Sequence, residues 1–534
     1  MNLHSYPYPS RRTPVLACNG MVATSQPLAA QAGLRILQDG GNAVDAAIAT
    51  AAALTVVEPT SNGIGGDAFA LIWDGENLHG LNGSGRAPAA LNATALRARG
   101  HVSVPERGWL AVTVPGVPDA WDTLHRRFGR LPLEALLRPA IAYAEQGFPV
   151  SPLIAELWHD ASAIFLASPD PALAAWAPTF ATRGRSPAAG ERWASAGHAA
   201  TLRRFAEKGL RDFYDGATAQ RIAAHSTATG GLLSGDDLAA HHSEWVEPIK
   251  VAYRDLEVWE IPPNGQGIVA LEALALLEGT GVADFAPRSV AECHLQIEAM
   301  KLAFADAYRH VADPEHATVP TDGLLDADYI AARRTLIGDR ARIPEAGAPP
   351  GGGTVYLCTA DRDGMMVSFI QSNFMGFGSG IVVPGTGIAL QNRGACFSLE
   401  AGHPNEAAGG KRPRHTIIPG FLTRAGAPLG PFGVMGGEMQ PQGHVQVVCA
   451  LADHRLNPQA ALDAPRWQVT GGLAVELEPG FPESVARGLA ELGHEVVRAP
   501  GFKGFGRGQI IQRLDDGVYL GASEMRADGA AVGW

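Results

Sequence analysis

Thr354 is the residue whose setting asks for chemistry. It follows Pro349-Pro350-Gly351-Gly352-Gly353 and opens Val355-Tyr356-Leu357, which reads as a strand closed by the turn Asp361-Arg362-Asp363-Gly364. Such a junction is a surface linker entering a strand, or a place where the chain is cut and Thr354 becomes a new N-terminus. A second candidate is Gly436-Gly437 in "FGVMGGEMQPQGHVQVV", where a strand feeds a helix. Adjacent glycine N–H groups at such a strand end can hold an oxyanion or simply make a tight turn. Other motifs carry less. "GFGSG" (376–380) and "GFKGFGRG" (501–508) resemble nucleotide loops, but each is followed by strand-like sequence rather than a helix. His241-His242 lacks a third ligand at metal spacing. There is no G-x-S-x-G elbow for a serine hydrolase.

The elements that must position these residues are legible in outline. Residues 27–57 read as two helices broken at Gly40-Gly41, the second apolar nearly all round and therefore buried. Residues 58–91 read as a glycine-rich turn and a hairpin turning at Asp74-Gly75. Helices are expected over 133–146, 194–224, 236–243, 267–279 and 290–313, and a strand pair over 248–263. From Ala341 to Gly353 the composition shifts to Pro, Gly and Ala, the clearest linker in the chain. Beyond it strands are expected at 354–360, 365–371, 386–391, 416–422, 431–435, 508–512 and 517–521, with helices at 441–452 and 483–492. The pattern is sheets packed against helices, α/β or α+β, with no internal repeat.

Composition narrows the function. The chain has 534 residues, 46% hydrophobic and 18% charged, enough for a large core. A formal net charge of −12 argues against a nucleic-acid partner. No window of 18 apolar residues suggests a membrane span. The five cysteines are scattered and odd in number, which fits free thiols better than a disulfide framework or a zinc site. "MNLHSYPYPSRRTPVLACNG" lacks the apolar run of a signal peptide. A cytoplasmic enzyme is the expectation.

In combination the motifs resemble a family. "GGGTVYLCTADRDGMMVSFIQSNFMGFGSGIVVPGTGIALQNRGACFS" is similar to the start of the small subunit of γ-glutamyltranspeptidases. "GGNAVDAAIATAAALTVVEPTSNGIGGDAF", "TVPGVPDAW", "PPNGQGIVALEALALLEG", "EAMKLAFADAYRHVADP" and "LGASEMRADGAAVGW" follow the family in order. The resemblance implies an α+β fold, the four-layer αββα sandwich of N-terminal nucleophile hydrolases. It implies a precursor cut between Gly353 and Thr354, giving a large part, 1–353, and a small part, 354–534, that stay associated as one αββα unit. The freed α-amino group of Thr354, with a pKa of about 7.7–8.0, would serve as base for its own hydroxyl. Gly436 and Gly437 match the family's oxyanion glycines. Ser372 falls where a threonine hydrogen-bonds the nucleophile. Asn373 lies one position short of the substrate-binding asparagine. No metal or organic cofactor is implied, and the partner is a small-molecule amide. Whether two processed copies form a homodimer stays open.

The substrate pocket departs from the family pattern. The arginine that holds a glutamyl α-carboxylate would lie two residues before Arg86, where Ser84 stands. The acidic residue for the α-amino group is replaced by Cys396, and the serine pair after K-R-P by His415-Thr416. Arg393 stands where a glutamine is usual. An α-ammonium group would lose its counter-charge, while Arg86 and Arg393 would bind a carboxylate placed elsewhere. The expectation is an amidohydrolase or acylase acting on an oxamate-type or glutaryl-type amide. The alternatives are a γ-glutamyl hydrolase or transferase, and an uncut relative that binds without catalysis.

Overall fold

The computed structural model describes residues 11–344 and 353–534. Residues 345–352, most of the expected linker, lie outside the described residues. Two seven-stranded antiparallel sheets form the centre. The first runs Ala530–Gly533, Gly20–Thr24, Gly353–Asp361, Met366–Phe374, Asp67–Trp73, Leu78–Gly83, Glu244–Val246. The second runs Val15–Ala17, Tyr519–Ser523, Arg507–Arg513, Ala427–Met435, Gly420–Arg424, Leu256–Glu260, Ile249–Tyr253. Segments from before and after Gly353 enter both sheets.

The sheets stack face to face, with Gly353–Asp361 over Ala427–Met435. The close approach has a local cause. A side chain at Gly433 would begin 2.6 Å from the Tyr356 ring, so only glycine lets that ring lie flat against the opposite strand. Helices cover both outer faces. On the first sheet lies Ala43–Val57, started by an Asn42–Asp45 capping box and buried at all 15 residues, as an all-round apolar helix must be. On the second lie Gly267–Glu278 and Met439–Ala452. This is the four-layer αββα sandwich. No helix among the described residues is long and apolar enough to cross a membrane.

Three expectations change. Residues 386–391 make only isolated bridges, Val382–Ala389 and Gly65–Leu390, because Gly385 and Gly387 turn the chain at φ 69° and 74°. The expected helix over 194–224 is three pieces, Ala196–Lys208, Asp212–Asp215 and Ala217–Ala228, interrupted at Gly209 (φ 85°) and Gly216. The strand expected from 416 starts at Gly420. The helices Val117–Phe128 and Pro152–Leu166 were not anticipated.

Candidate active site

Thr354 is placed by a bulge. Gly353 pairs with Phe374 but Val355 pairs with Gln371, so the single residue Thr354 faces two, Ser372 and Asn373. A bulge of this kind interrupts the ladder and re-aims a side chain. The result is a contact of 3.0 Å between Thr354 Oγ1 and Ser372 Oγ, with both residues buried. Ser372 Oγ also accepts the N–H of Phe374 at 2.8 Å, which fixes its rotamer. Phe374 takes φ 73°, ending the strand sharply. A second group reaches the threonine: Gln440 Nε2 donates to Thr354 Oγ1 at 3.4 Å, while its Oε1 accepts the Ile418 N–H at 2.9 Å.

Gln440 rides on the helix that begins just after Gly436-Gly437. Those glycines take φ 136° and 62° where the strand Ala427–Met435 ends. Their carbonyls accept the Met439 and Gln440 N–H groups, whereas neither glycine N–H donates to a backbone carbonyl in the turns and loops of the described residues. Gly506, in the second glycine loop of the sequence, backs this turn. A side chain at Gly436 would begin 3.1 Å from its Cα. That loop supports the strand-to-helix turn instead of cradling a phosphate.

Beyond Ser372 lies a buried polar pocket. Asn373 is fully buried, and neither side-chain atom has a hydrogen-bond partner among the described residues. The turn "NGIGG" allows this, since a side chain at Gly66 would begin 2.8 Å from Asn373 Oδ1. Arg393 is also fully buried. Its guanidinium lies over the Phe374 ring at 4.3 Å, and Nη1 donates to Thr416 Oγ1 at 2.7 Å. Its Nε and Nη2 have no partner among the described residues. Burial pulls its pKa down, and nearby Cys396 and Asp67 oppose that. Next to Thr416, His415 Nε2 lies 3.1 Å from Asp67 Oδ2 with both side chains fully buried. Burial pushes the Asp67 carboxyl up to about 7, against the attraction of Arg393.

Arg86 ends elsewhere. Its guanidinium meets Glu315 at 2.8 Å and Asp313 and Glu244 at 3.3 Å, and it donates to the Gly410 carbonyl. The geometry joins Thr354, Ser372, Asn373, Arg393 and Thr416, with His415 adjoining, and leaves Arg86 in an acidic cluster at the surface. Asp67 and Gln440 had not been singled out, although both sit in quoted motifs, "GIGGDAF" and "GGEMQPQG".

Among the described residues one grouping has metal-ligand types: His294, Glu298 and His494. Part of it is already engaged, with His494 Nδ1 left without a partner among the described residues. His294 Nδ1 and His494 Nε2 are 2.9 Å apart, and Lys301 Nζ lies 2.5 Å from Glu298. His241 stacks on Tyr214 instead of gathering ligands.

A buried hydroxyl beside a second hydroxyl, two glycine N–H groups near a helix start and an incompletely bonded guanidinium suit acyl transfer from an amide. The comparisons agree in kind. The family model described as Gamma-glutamyltranspeptidase matches residues 29–534. The chain is 38% identical to the glutathione hydrolase-like YwrD proenzyme of Bacillus subtilis, over 97% of this chain and 99% of that protein. It is 35% identical to the oxamate amidohydrolase proenzyme of Klebsiella pneumoniae, with the same coverage. A crystal structure of a cephalosporin acylase from Bacillus halodurans superposes with a TM-score of 0.96 at 55% identity, covering 100% of this chain and 99% of that one.

Proposed function

The chain belongs to the gamma-glutamyltranspeptidase family, and from that premise we propose that it is a self-processing threonine amidohydrolase whose acyl donor carries a free carboxylate and no α-amino group. Processing starts when Thr354 Oγ1 attacks the Gly353 carbonyl. The peptide nitrogen leaves as the new α-amino group, and water cleaves the ester. That amine then takes the proton from Oγ1 as the hydroxyl attacks a substrate amide. Gly436 and Gly437 N–H groups hold the developing oxyanion. Ser372 and Gln440 orient the hydroxyl. The leaving amine takes the proton back, and water releases the acyl group from the threonine ester. The names of relatives support this scheme: several are called proenzymes, and one is named for oxamate, an amide bearing a carboxylate.

The observation that carries the substrate class is Arg393. Among the described residues two of its nitrogens are buried without a partner, whereas the other buried arginines there are bonded to carboxylates or carbonyls. A planar fork left open in this way fits a carboxylate. A second reading has its own support. Asp67 lies in the same pocket and, when ionised, would answer an α-ammonium group, as a γ-glutamyl donor requires.

The experiment is a comparison of kcat/KM on glutaryl, γ-glutamyl and butyryl p-nitroanilides. The glutaryl donor should lead. Arg393→Met should lower its kcat/KM by about 30-fold or more, the scale for losing a buried hydrogen-bonded charge pair, and leave the butyryl donor nearly unchanged. A lead for the γ-glutamyl donor, or an equal loss on glutaryl and butyryl donors, would reject the reading.

A further inference from the structure

Among the described residues Asp67 is the carboxylate whose charge acts on Arg393, and its setting is unusual. Asp67 opens the strand Asp67–Trp73 and lies directly opposite Ser372 in the ladder. Directly opposed residues place their side chains on one face, so Thr354, Ser372 and Asp67 form a row across three neighbouring strands. Asp67 is fully buried. Oδ1 accepts the Gly85 N–H at 3.3 Å, and Oδ2 faces His415 Nε2. The Ile417 N–H points at His415 Nδ1 at 3.4 Å. Nδ1 is therefore the acceptor, and Nε2 carries the proton that Asp67 receives. Burial, with Arg393 and Arg414 nearby, keeps His415 uncharged by holding its pKa far below the usual value. The remaining groups that face Asp67 are Arg393 and Arg412, which favour its charge, and the Tyr214 phenol, which burial keeps neutral. The pair Asp67–His415 thus holds at most one negative charge, and that charge acts on Arg393, whose Nη1 is bonded to Thr416, the residue after His415.

We propose that Asp67 is a proton-linked counter-charge for Arg393: ionised, it balances the guanidinium in the free enzyme, and it takes up one proton from solvent when an acyl carboxylate docks there. This rests on the reading of Arg393 given above. One negative charge enters and one proton follows it, so the buried pocket keeps its net charge. The reverse happens when the acid product leaves. Asp67 titrates at about pH 7. Below that pH it is already protonated and Arg393 is available to the ligand. Above it, binding must draw a proton from an increasingly basic solvent, and affinity for an anion falls by up to about tenfold per pH unit. An ammonium-bearing donor would show the opposite trend, because it needs Asp67 ionised.

The test uses the processed enzyme and glutarate, the product of a glutaryl donor, as a competitive inhibitor from about pH 6 to about pH 9, with pentane-1,5-diol as the uncharged comparison. The inhibition constant of glutarate should rise steeply above about pH 7 in wild type. In Asp67→Asn binding should be near the wild-type value at low pH, and the rise should shrink to the part that deprotonation of the Thr354 α-amino group at about 7.7–8.0 leaves. Calorimetry in buffers of different ionisation enthalpy should count close to one proton taken up per glutarate in wild type at alkaline pH. An uptake that sets in at about pH 7 assigns the proton to Asp67 even where the variant does not fold, and one confined to about 7.7–8.0, the range of the freed Thr354 α-amino group, assigns it to that amine and overturns the proposal. Glutarate that outbinds the diol with a flat profile, with an unchanged rise in Asp67→Asn, or with no proton uptake overturns the role of Asp67. Glutarate that never outbinds the diol, even at acid pH, overturns the Arg393 reading itself.

Discussion

Two regions of the interior hold full charges away from water and treat them in opposite ways. In one, Arg466, Glu478, Glu524 and Arg526 form a closed quartet, two of each sign. Arg466 Nη2 meets Glu524 at 2.6 Å and Nη1 donates to the Phe505 carbonyl. Arg526 grips Glu478 and Glu524 and reaches the Leu462 and Ala464 carbonyls. None of the quartet's side-chain atoms is left buried without a partner among the described residues. In the other region, among the described residues, two Arg393 nitrogens and the whole Asn373 amide have no partner. Burying a charge without partners costs several kcal/mol. A fold able to complete the quartet is able to complete Arg393 as well. On the function proposed above, the second region is the one that a ligand finishes. One network joins the C-terminal strands to their neighbours, and the other is, on that proposal, the substrate pocket.

The largest effect that could break this contrast is at Thr354. Thr354→Ala should give one band near 55.9 kDa on a denaturing gel and a loss of roughly 10⁶ in kcat, the scale for removing a hydrolase nucleophile. An active, uncut variant would remove the reason for calling the open pocket catalytic. Next comes Glu524→Ala, which takes from buried Arg466 its hydrogen-bonded carboxylate and from Arg526 one of two. Urea unfolding should show about 3–5 kcal/mol of lost stability, with kcat per folded molecule preserved. Arg393→Met should do the reverse, with stability held within about 1 kcal/mol of wild type or raised while the glutaryl donor is handled poorly. If its unfolding midpoint drops as far as that of Glu524→Ala, the two regions are not different in kind. The smallest effect belongs to Arg86, about a quarter exposed among three carboxylates. Arg86→Ala should change stability by about 1 kcal/mol or less and leave the preference among acyl donors where it was.

Much of this layout was readable in the sequence because it is local. The glycine run before Thr354, the break at Gly40-Gly41 and the strand-to-helix turn at Gly436-Gly437 are each written in a few consecutive residues whose backbone needs are specific. What escaped depends on distance along the chain. Arg86 and Arg393 are indistinguishable as letters. One is drawn off by Asp313 and Glu315, more than 200 positions away, while the other lands on Phe374 and Thr416. Asp67 and His415 are 348 positions apart, so no spacing rule links them. The misread strand at 386–391 shows the converse limit. Its apolar run Ile388-Ala389-Leu390 is genuine, but Gly385 and Gly387 take positive φ and the tertiary context uses them as a turn.

The strand Gly20–Thr24 bonds along one edge to Gly353–Asp361 and along the other to Ala530–Gly533. Before the proposed cut, closing that sheet is a one-body event, and the connecting chain keeps the partners at high local concentration. After it, the same sheet joins two molecules. Dilution does not part them, since separation means tearing an inner strand from both neighbours. Once parted, however, they must find each other again, against an association entropy of some 4–15 kcal/mol. The mature protein would then persist by the slowness of its unfolding and not by its power to refold. Each molecule would run on a clock that starts with its own scission, and the cell would renew activity by synthesis instead of repair.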